Sequence, residues 1–592
     1  MKKFLSVLLA LAMIFSLTVT VSADETKGEM DGYVVVLHTN DVHGAISGYA
    51  KVAALKKAYE AEGAYVLLMD AGDFCQGDPT VSVSQGKTAV ELMNMAGYDV
   101  TTLGNHEFDY GYDNLVNLSK EAKFPIVAAN VLYQGKVAFN SNQIFTTPSG
   151  VKIGVFGLET PETATKAHPA KIKGVTILGD KSMFDCAQAQ VDSLKADGCD
   201  YIICLGHLGI DKESLGNRST DLLNVVDGND VFIDGHSHST MKDIAEVTDK
   251  DGKVNGTLLT STGTKLAYVG VLIIDNKTKL PEGLEMLDLG QYENEDAKVT
   301  AAAKAIMEPI DAEYSAVFAK SEVELNGDKE PGNRTQETNL GNLITDAMMW
   351  AIKTKAPGVD MTNAVAITNG GGIRAWIHAG DISKADVTTV LPFGNTLAVV
   401  HVKGSELLEA LEASTFCTPI SLGGFPQTAG MKLTVDCTKP YDKADDTYPG
   451  STYYGPKSIN RVTIESINGQ PFDPNQTYAV ITNNFTAAGG DTYYTFKTSP
   501  KIVDTGVPMD TAVVEYIKTK LGGVVGKSYA SAQNRITIKS YADVVSTAWY
   551  AKYVDDVTAK ELMGGSNGKF DPNGNMNRAM LVTVLYRMAG SP

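Results

Sequence analysis

Arginine is scarce in this chain, with seven among 51 Lys and Arg residues. No stretch gathers basic residues into a strip able to follow a phosphate backbone, and the net charge is −19. Both features argue against a nucleic-acid polymer as partner. The scarcity also makes each Arg informative, because its planar fork suits phosphate in a way that a lysine does not. Cysteine is sparse too. Six of them (Cys75, Cys186, Cys199, Cys204, Cys417 and Cys437) do not make a disulfide scaffold in 592 residues. No CxxC spacing offers a thiolate metal site. Cys417 and Cys437 flank one long loop and could pair, as could Cys186 with Cys199 or Cys204; spacing does not choose between these. Beyond residue 23 no apolar run is long enough to span a bilayer, so no transmembrane anchor is expected in the mature chain. An apolar content of 43% and a charged content of 20% describe a globular protein, too long for one core.

The chain opens with the marks of an export signal. Lys2 and Lys3 are followed by an apolar stretch over 4–21 and the small-residue site Val21-Ser22-Ala23. Past it, strand-like apolar runs recur, and five of them stop at a glycine-flanked polar cluster. The clusters are Asn40-Asp41-Val42-His43-Gly44, Gly72-Asp73-Phe74-Cys75-Gln76-Gly77, Gly104-Asn105-His106-Glu107-Phe108-Asp109, Gly206-His207 and Gly235-His236-Ser237-His238. One such cluster is an ordinary turn. Five at strand ends point to a shared edge where an α/β enzyme keeps its chemistry. Five of the nine histidines fall in them; His38, His168, His378 and His401 read as structural or surface residues.

Pooled, the clusters supply Asp41, His43, Asp73, Asn105, His207, His236 and His238. Seven nitrogen and oxygen donors without sulfur suit two divalent ions of the Zn, Mn or Co type, with one carboxylate between them. Such a pair acidifies water and clamps the oxygens of a phosphoryl group. His106 and Asp109 remain, spaced as a dyad in which the carboxylate orients the imidazole toward phosphate charge. Glu107 has no evident task.

These ordered motifs resemble those of the calcineurin-like metallophosphatases, above all the secreted 5′-nucleotidase / UDP-sugar hydrolase branch. The resemblance implies a four-layer αββα sandwich with metals at the strand ends. It further implies one ion on Asp41, His43, Asp73 and His238, and a second on Asp73, Asn105, His207 and His236. Relatives often carry Gln or Asn where this chain has His238.

The second half changes in composition. A charged, alanine-rich stretch over 291–321 reads as a helical connector. Arg334 then precedes an amphipathic helix, and a strand runs into Asn369-Gly370-Gly371-Gly372-Ile373-Arg374, where three glycines allow close backbone approach to a ligand. Leu391-Pro392-Phe393-Gly394-Asn395 and the segment from Asn483-Asn484-Phe485 to Asp491 each set an aromatic beside polar groups. Two guanidinium groups, two rings and a carboxylate suit a nucleotide. The segments resemble the C-terminal domain of the same family, which implies phosphate contacts for Arg334 and Arg374 and base stacking for Phe393 and Phe485. It implies base or sugar bonds for Asn369 and Asn395, and ribose contact for Asp491. Thr338 stands in the region where some relatives have a further Arg. The resemblance also implies a rotation between open and closed domains.

The last fifty residues, from Tyr541-Ala542-Asp543-Val544 through Phe570-Asp571-Pro572-Asn573-Gly574 to Arg587, resemble a surface-layer homology module that docks on cell-wall polymer. Asn577 and Met580 depart from its usual Thr and Glu. The expected order is therefore a signal peptide (1–23), a metallophosphatase domain (32–290), a linker helix (291–321), an α+β substrate-binding domain (322–540) and a small helical module (541–592). The expected activity is release of phosphate from nucleoside 5′-monophosphates, with UDP-sugars as further substrates, by an exported, wall-associated enzyme. A 2′,3′-cyclic-nucleotide 2′-phosphodiesterase/3′-nucleotidase shares the chemistry. A wall-anchored binding protein that has lost catalysis is the reading from another class, disfavoured by seven intact donor positions.

Overall fold

The computed structural model describes residues 28–588, except 212–213, 280, 357, 540, 542, 545–547, 560–561 and 565–568. The expected signal peptide lies outside the described residues.

The strands that build the first domain's main sheets are β1 (Tyr33–Thr39), β2 (Tyr65–Asp70), β3 (Val100–Thr101), β4 (Asn142–Thr146), β5 (Lys152–Glu159), β6 (Tyr201–His207), β7 (Val231–Asp234), β8 (Lys253–Val254), β9 (Thr257–Thr260), β10 (Tyr268–Asp275) and β11 (Pro281–Asp288). They form two sheets, in the orders β11-β10-β1-β2-β3 and β8-β9-β7-β6-β5-β4. Within them β1, β2 and β3 are parallel, as are β5, β6, β7 and β9. Both faces of these strands are covered, so they read as unbroken apolar runs rather than alternating ones. In β1, Val34 and Val36 enter the core between the sheets with Leu67, Ile203 and Ile233. Val35 and Leu37 point the other way, onto the helices Tyr49–Ala61 and Lys87–Ala96. Phe156, Ile202 and Phe232 leave the second sheet toward Met183, Ala187, Val191 and Leu194, one stripe of the helix Asp180–Ala196. The result is the four-layer αββα sandwich, with the ligand-bearing turns at the C-terminal strand ends. His38, in β1, is a structural residue: it is fully buried and faces Gly270 across the β1–β10 pair.

The connector differs from the expected 291–321. Its helix spans Ala297–Tyr314, and Val299 and Ala303 pack into the first domain's core. Asp296 fixes its start by accepting from the amides of Lys298 and Val299. Residues Val317–Ser321 are a strand instead, pairing with Gly380–Ser383 and Val524–Val525, because their inward alternation suits a sheet of the second domain.

That domain is built on a five-stranded sheet of β12 (Ala364–Asn369), β13 (Thr396–Lys403), β14 (Pro426–Ala429), β15 (Thr477–Asn483) and β16 (Ile502–Pro508), in the order β14-β12-β15-β13-β16. The helix Asn339–Lys355 covers one face through Leu343, Ile344 and Ala347; Leu407 and Leu411 of the helix Gly404–Ala413 cover the other. Asn369 and Asn483 end β12 and β15, and Asn395 immediately precedes antiparallel β13. All three therefore stand at one end of the sheet. The last segment has a small core of Val544, Ala551 and Val554, the last two in the helix Ala551–Ala559, and a further helix, Arg578–Met588. No helix among the described residues is long and apolar enough to cross a membrane.

Candidate active site

The turns after β1, β2 and β7 are bent hard. Asp41, His43, Asp73, His236 and His238 all have positive φ, between 45° and 75°. Non-glycine residues rarely adopt this region, and strain of this kind is held where function demands it. The bends bring the side chains inward. Donor atoms of Asp41, His43 and His238 lie within 4.8 Å of one another, as do those of Asp41, Asp73 and His207. Asp73 Oδ2 lies 3.2 Å from His207 Nε2 and 3.7 Å from His43 Nε2, so it faces the histidines of both expected sets. Asn105 Oδ1 is 2.9 Å from His236 Nδ1.

The outer ring nitrogens show that this cluster suits metal. His207 Nδ1 bonds the Ala71 carbonyl at 2.7 Å, His43 Nδ1 the Gln76 carbonyl at 3.2 Å, and His236 Nε2 the Glu162 carboxylate at 3.0 Å. Each partner fixes the tautomer and leaves the inner nitrogen as a donor, the arrangement of a ligating histidine. His207 Nε2 is buried and makes no hydrogen bond of good geometry. Such a group is costly unless something coordinates it. The residues present therefore fit divalent ions.

Charge in the cluster is polarised accordingly. Burial pushes Asp41 up to about 7. Burial acts the same way on Asp73, but His207, His106 and His43 outweigh it and hold that carboxyl well below its ordinary range. His106 Nδ1 donates to Asp109 Oδ2 at 2.7 Å. Burial alone would lower this imidazole; Asp109 and Asp73 reverse the effect and raise it above its ordinary value. Glu107 also has a visible task. Its carboxylate accepts from the backbone amides of Asp73, Phe74, Cys75 and Gly104, at 2.6 to 3.0 Å. It ties the turn after β2 to the turn after β3.

The two domains close over one cavity of about 480 Å³, lined by His43, Asp73, Asn105, His106, Asp109, His236 and His238 from the first and by Arg334, Asn369, Arg374, Phe393, Asn395, Phe485 and Asp491 from the second. Asp41 and His207 stand behind that surface, fully buried. Burial and the neighbouring Arg334 lower Arg374 to about 10; two repelling guanidinium groups are an arrangement that a phosphate anion relieves.

Several placements refine the reading from sequence. Phe393 stacks on His106, with centroids 5.5 Å apart, and Arg374 lies over the same ring, so this aromatic also braces the dyad. The glycine run packs protein as much as ligand: a β-carbon at Gly370 would come 1.9 Å from the Asn333 carbonyl, beside Arg334. Thr338 caps the helix Asn339–Lys355 by accepting from the Gly341 amide at 2.9 Å. His168, read as structural or surface, lines the cavity, as do Glu162, Lys166, Asp211, Lys265 and Lys329, none of which stood in a recognisable motif.

Residues 34–240 match the calcineurin-like phosphoesterase model, 317–498 the 5′-nucleotidase C-terminal domain and 540–579 the S-layer homology domain. A solved 5′-nucleotidase precursor from Thermus thermophilus is 30% identical, with a TM-score of 0.70, over 86% of this chain and 99% of that one. The chain belongs to the 5′-nucleotidase family. Rat 5′-nucleotidase is 29% identical over 527 residues, covering 82% of this chain and 88% of the rat protein. A Bacillus subtilis trifunctional nucleotide phosphoesterase is 31% identical over 83% of this chain, which spans about a third (34%) of that longer relative. A Thermus thermophilus sulfate thiohydrolase, 15% identical with a TM-score of 0.64, shares the fold and shows no more than that. Members of this family are metal-dependent phosphoesterases. Which member reaction this chain performs rests on the site.

Proposed function

We propose that the chain is an exported 5′-nucleotidase that releases phosphate from nucleoside 5′-monophosphates, with the pyrophosphate of UDP-sugars as a second substrate. The cavity shared by the donor cluster, the His106–Asp109 dyad and the Arg334–Arg374 pair carries this reading. Asp41, His43, Asp73 and His238 would hold one divalent ion, and Asp73, Asn105, His207 and His236 the other. Bound there, the ions would supply Lewis acidity toward the phosphoryl oxygens and an acidified water. Arg334 and Arg374 orient the phosphate so that its phosphorus sits over the cluster. His106, charged and aligned by Asp109, steadies the negative charge that develops and donates toward the leaving oxygen. Phe485 and Phe393 offer faces to the base, and Asn369, Asn395 and Asp491 meet the base and ribose. Stacking of this kind contributes roughly 1–3 kcal/mol per base and tolerates base identity, so acceptance across nucleobases should be broad. The module at 540–579 would hold the enzyme on cell-wall polymer.

The test is phosphate release from AMP by the purified chain supplied with Mn or Zn. His106→Ala should lower kcat by about 10²–10⁴-fold. Full activity in that variant, or a large preference for 2′,3′-cyclic AMP over AMP, would overturn the assignment.

A further inference from the structure

Asp234 lies off the cavity wall, buried behind the donor cluster with 1% of its surface exposed. It ends β7, opposite Gly206 of β6, so it sits between the turn after His207 and the turn that carries His236. One oxygen, Oδ1, accepts from the amides of Leu208 at 3.1 Å, Gly209 at 3.0 Å and Gly235 at 3.0 Å. Two of these amides follow His207 in the chain, and the third precedes His236. The turns are packed tightly here: a β-carbon on Gly235 would come 2.7 Å from His207 Nδ1, and the two imidazole rings stand 5.2 Å apart. A buried amide deprived of its acceptor is costly, so loss of this oxygen would drive both turns to rearrange. Glu107 makes the same kind of tie between the turns that carry Asp73 and Asn105. Together the two carboxylates hold the turns of Asp73, Asn105, His207 and His236, the four donors expected for the second ion. Neither hydrogen-bonds the turn of Asp41 and His43, which belong only to the first set.

We propose that Asp234 is a positioning residue for the second ion, locking the turns of His207 and His236 in the register that lets both rings ligate one metal. The proposal rests on the two metal sets given above. Asp234 touches neither imidazole through a hydrogen bond of its own; it acts on the backbone that aims them. What the role requires is the accepting oxygen rather than the charge. Groups that orient ligating side chains from behind are worth about 10–100-fold in metal affinity.

Mn²⁺ affinity of the full chain is measured by chelator competition, with bound metal counted by elemental analysis and folding followed by urea unfolding. His43→Ala leaves the second ion to be measured by itself, and Asn105→Ala leaves the first. Added to His43→Ala, Asp234→Ala should weaken the remaining ion by about tenfold or more. Added to Asn105→Ala, it should weaken the remaining ion by less than about threefold. Asp234→Asn loses the same charge but keeps the accepting oxygen, with the Ser219 hydroxyl beside the new amide, and should recover most of the affinity. Should Asp234→Ala fail to fold, Asp234→Ser, whose oxygen sits one bond short, takes its place in the comparison with Asp234→Asn. Equal losses for the two ions would make Asp234 a general prop of the fold, and an Asn variant as weak as the Ala or Ser variant would make its charge the cause. Either result, or an unchanged affinity, would overturn the positioning role alone. A wild-type chain that binds fewer than two Mn²⁺ would overturn the metal reading and this role with it.

Discussion

Gly104 shows how little room the donor cluster leaves. A β-carbon there would come 2.3 Å from Asp73 Oδ1 and 2.7 Å from His207 Nε2, so even alanine strikes two donors at once. Gly104→Ala should reduce bound metal to well under one ion per chain while the protein stays folded, as read by metal analysis beside circular dichroism. Glu107 explains the neighbouring rigidity, since one buried carboxylate gathers four amides from the turns that carry Asp73 and Asn105. His38 belongs to the same domain and does a different job. Burial pushes it down from 6.5 to about 3, so the folded chain keeps it neutral where the unfolded chain takes up a proton. Between those values the unfolded state binds more protons, and stability falls as pH drops through that window, by about 1.4 kcal/mol per unit from this group. His38→Phe, of similar bulk and without a titrating nitrogen, should flatten the acid limb of stability between pH 6.5 and 4 in urea unfolding. An unchanged slope would show that His38 has no part in it.

At the scale of elements, the strand ends were legible because their demands are local. A parallel strand buried on both faces writes an apolar run, and the turn that must bend and bind writes Gly, Asp, Asn and His directly after it. That is how Asp41, Asp73, Asn105 and His207 could be found without coordinates. Glu162, Lys166 and His168 could not, because their meaning comes from partners far along the chain: His236, Asp491 and the closed second domain. Nor could the double use of Phe393, whose ring lies against His106 across the domain boundary. Gly370 was legible as a close approach, but not that the approaching atom is the Asn333 carbonyl. Thr338 separates the two kinds of information. Its place in a region where some relatives have Arg was visible in the sequence; that it caps a helix and lies off the cavity wall was not. Thr338→Ala should therefore cost about 1 kcal/mol of stability in thermal or urea unfolding. Its KM for AMP should stay within about twofold of wild type; a large rise would assign Thr338 to substrate after all.

The whole molecule divides its labour along the chain. The cavity takes residues from His43 to Asp491, so both large domains wall it, and no described residue beyond them lines it. The strand Ile536–Lys539 still belongs to the second domain, where it pairs in parallel with Met431–Asp436. The remainder rests on its own few apolar residues, Val544, Ala551 and Val554, and on Asp543, whose carboxylate accepts from the amides of Phe570 and Asp571 at 2.9 and 2.8 Å. Its final helix, Arg578–Met588, buries none of its residues and exposes Met580, Leu581, Val582 and Leu585. A chain ended after residue 540 keeps every strand of the two large domains and loses the segment that matches the S-layer homology domain together with the residues that follow it. It should hydrolyse AMP with kcat/KM unchanged within about twofold, yet no longer sediment with isolated cell walls that carry down the full-length protein. Retained sedimentation would move wall attachment to the catalytic domains, and lost hydrolysis would mean that the tail steadies the closed form.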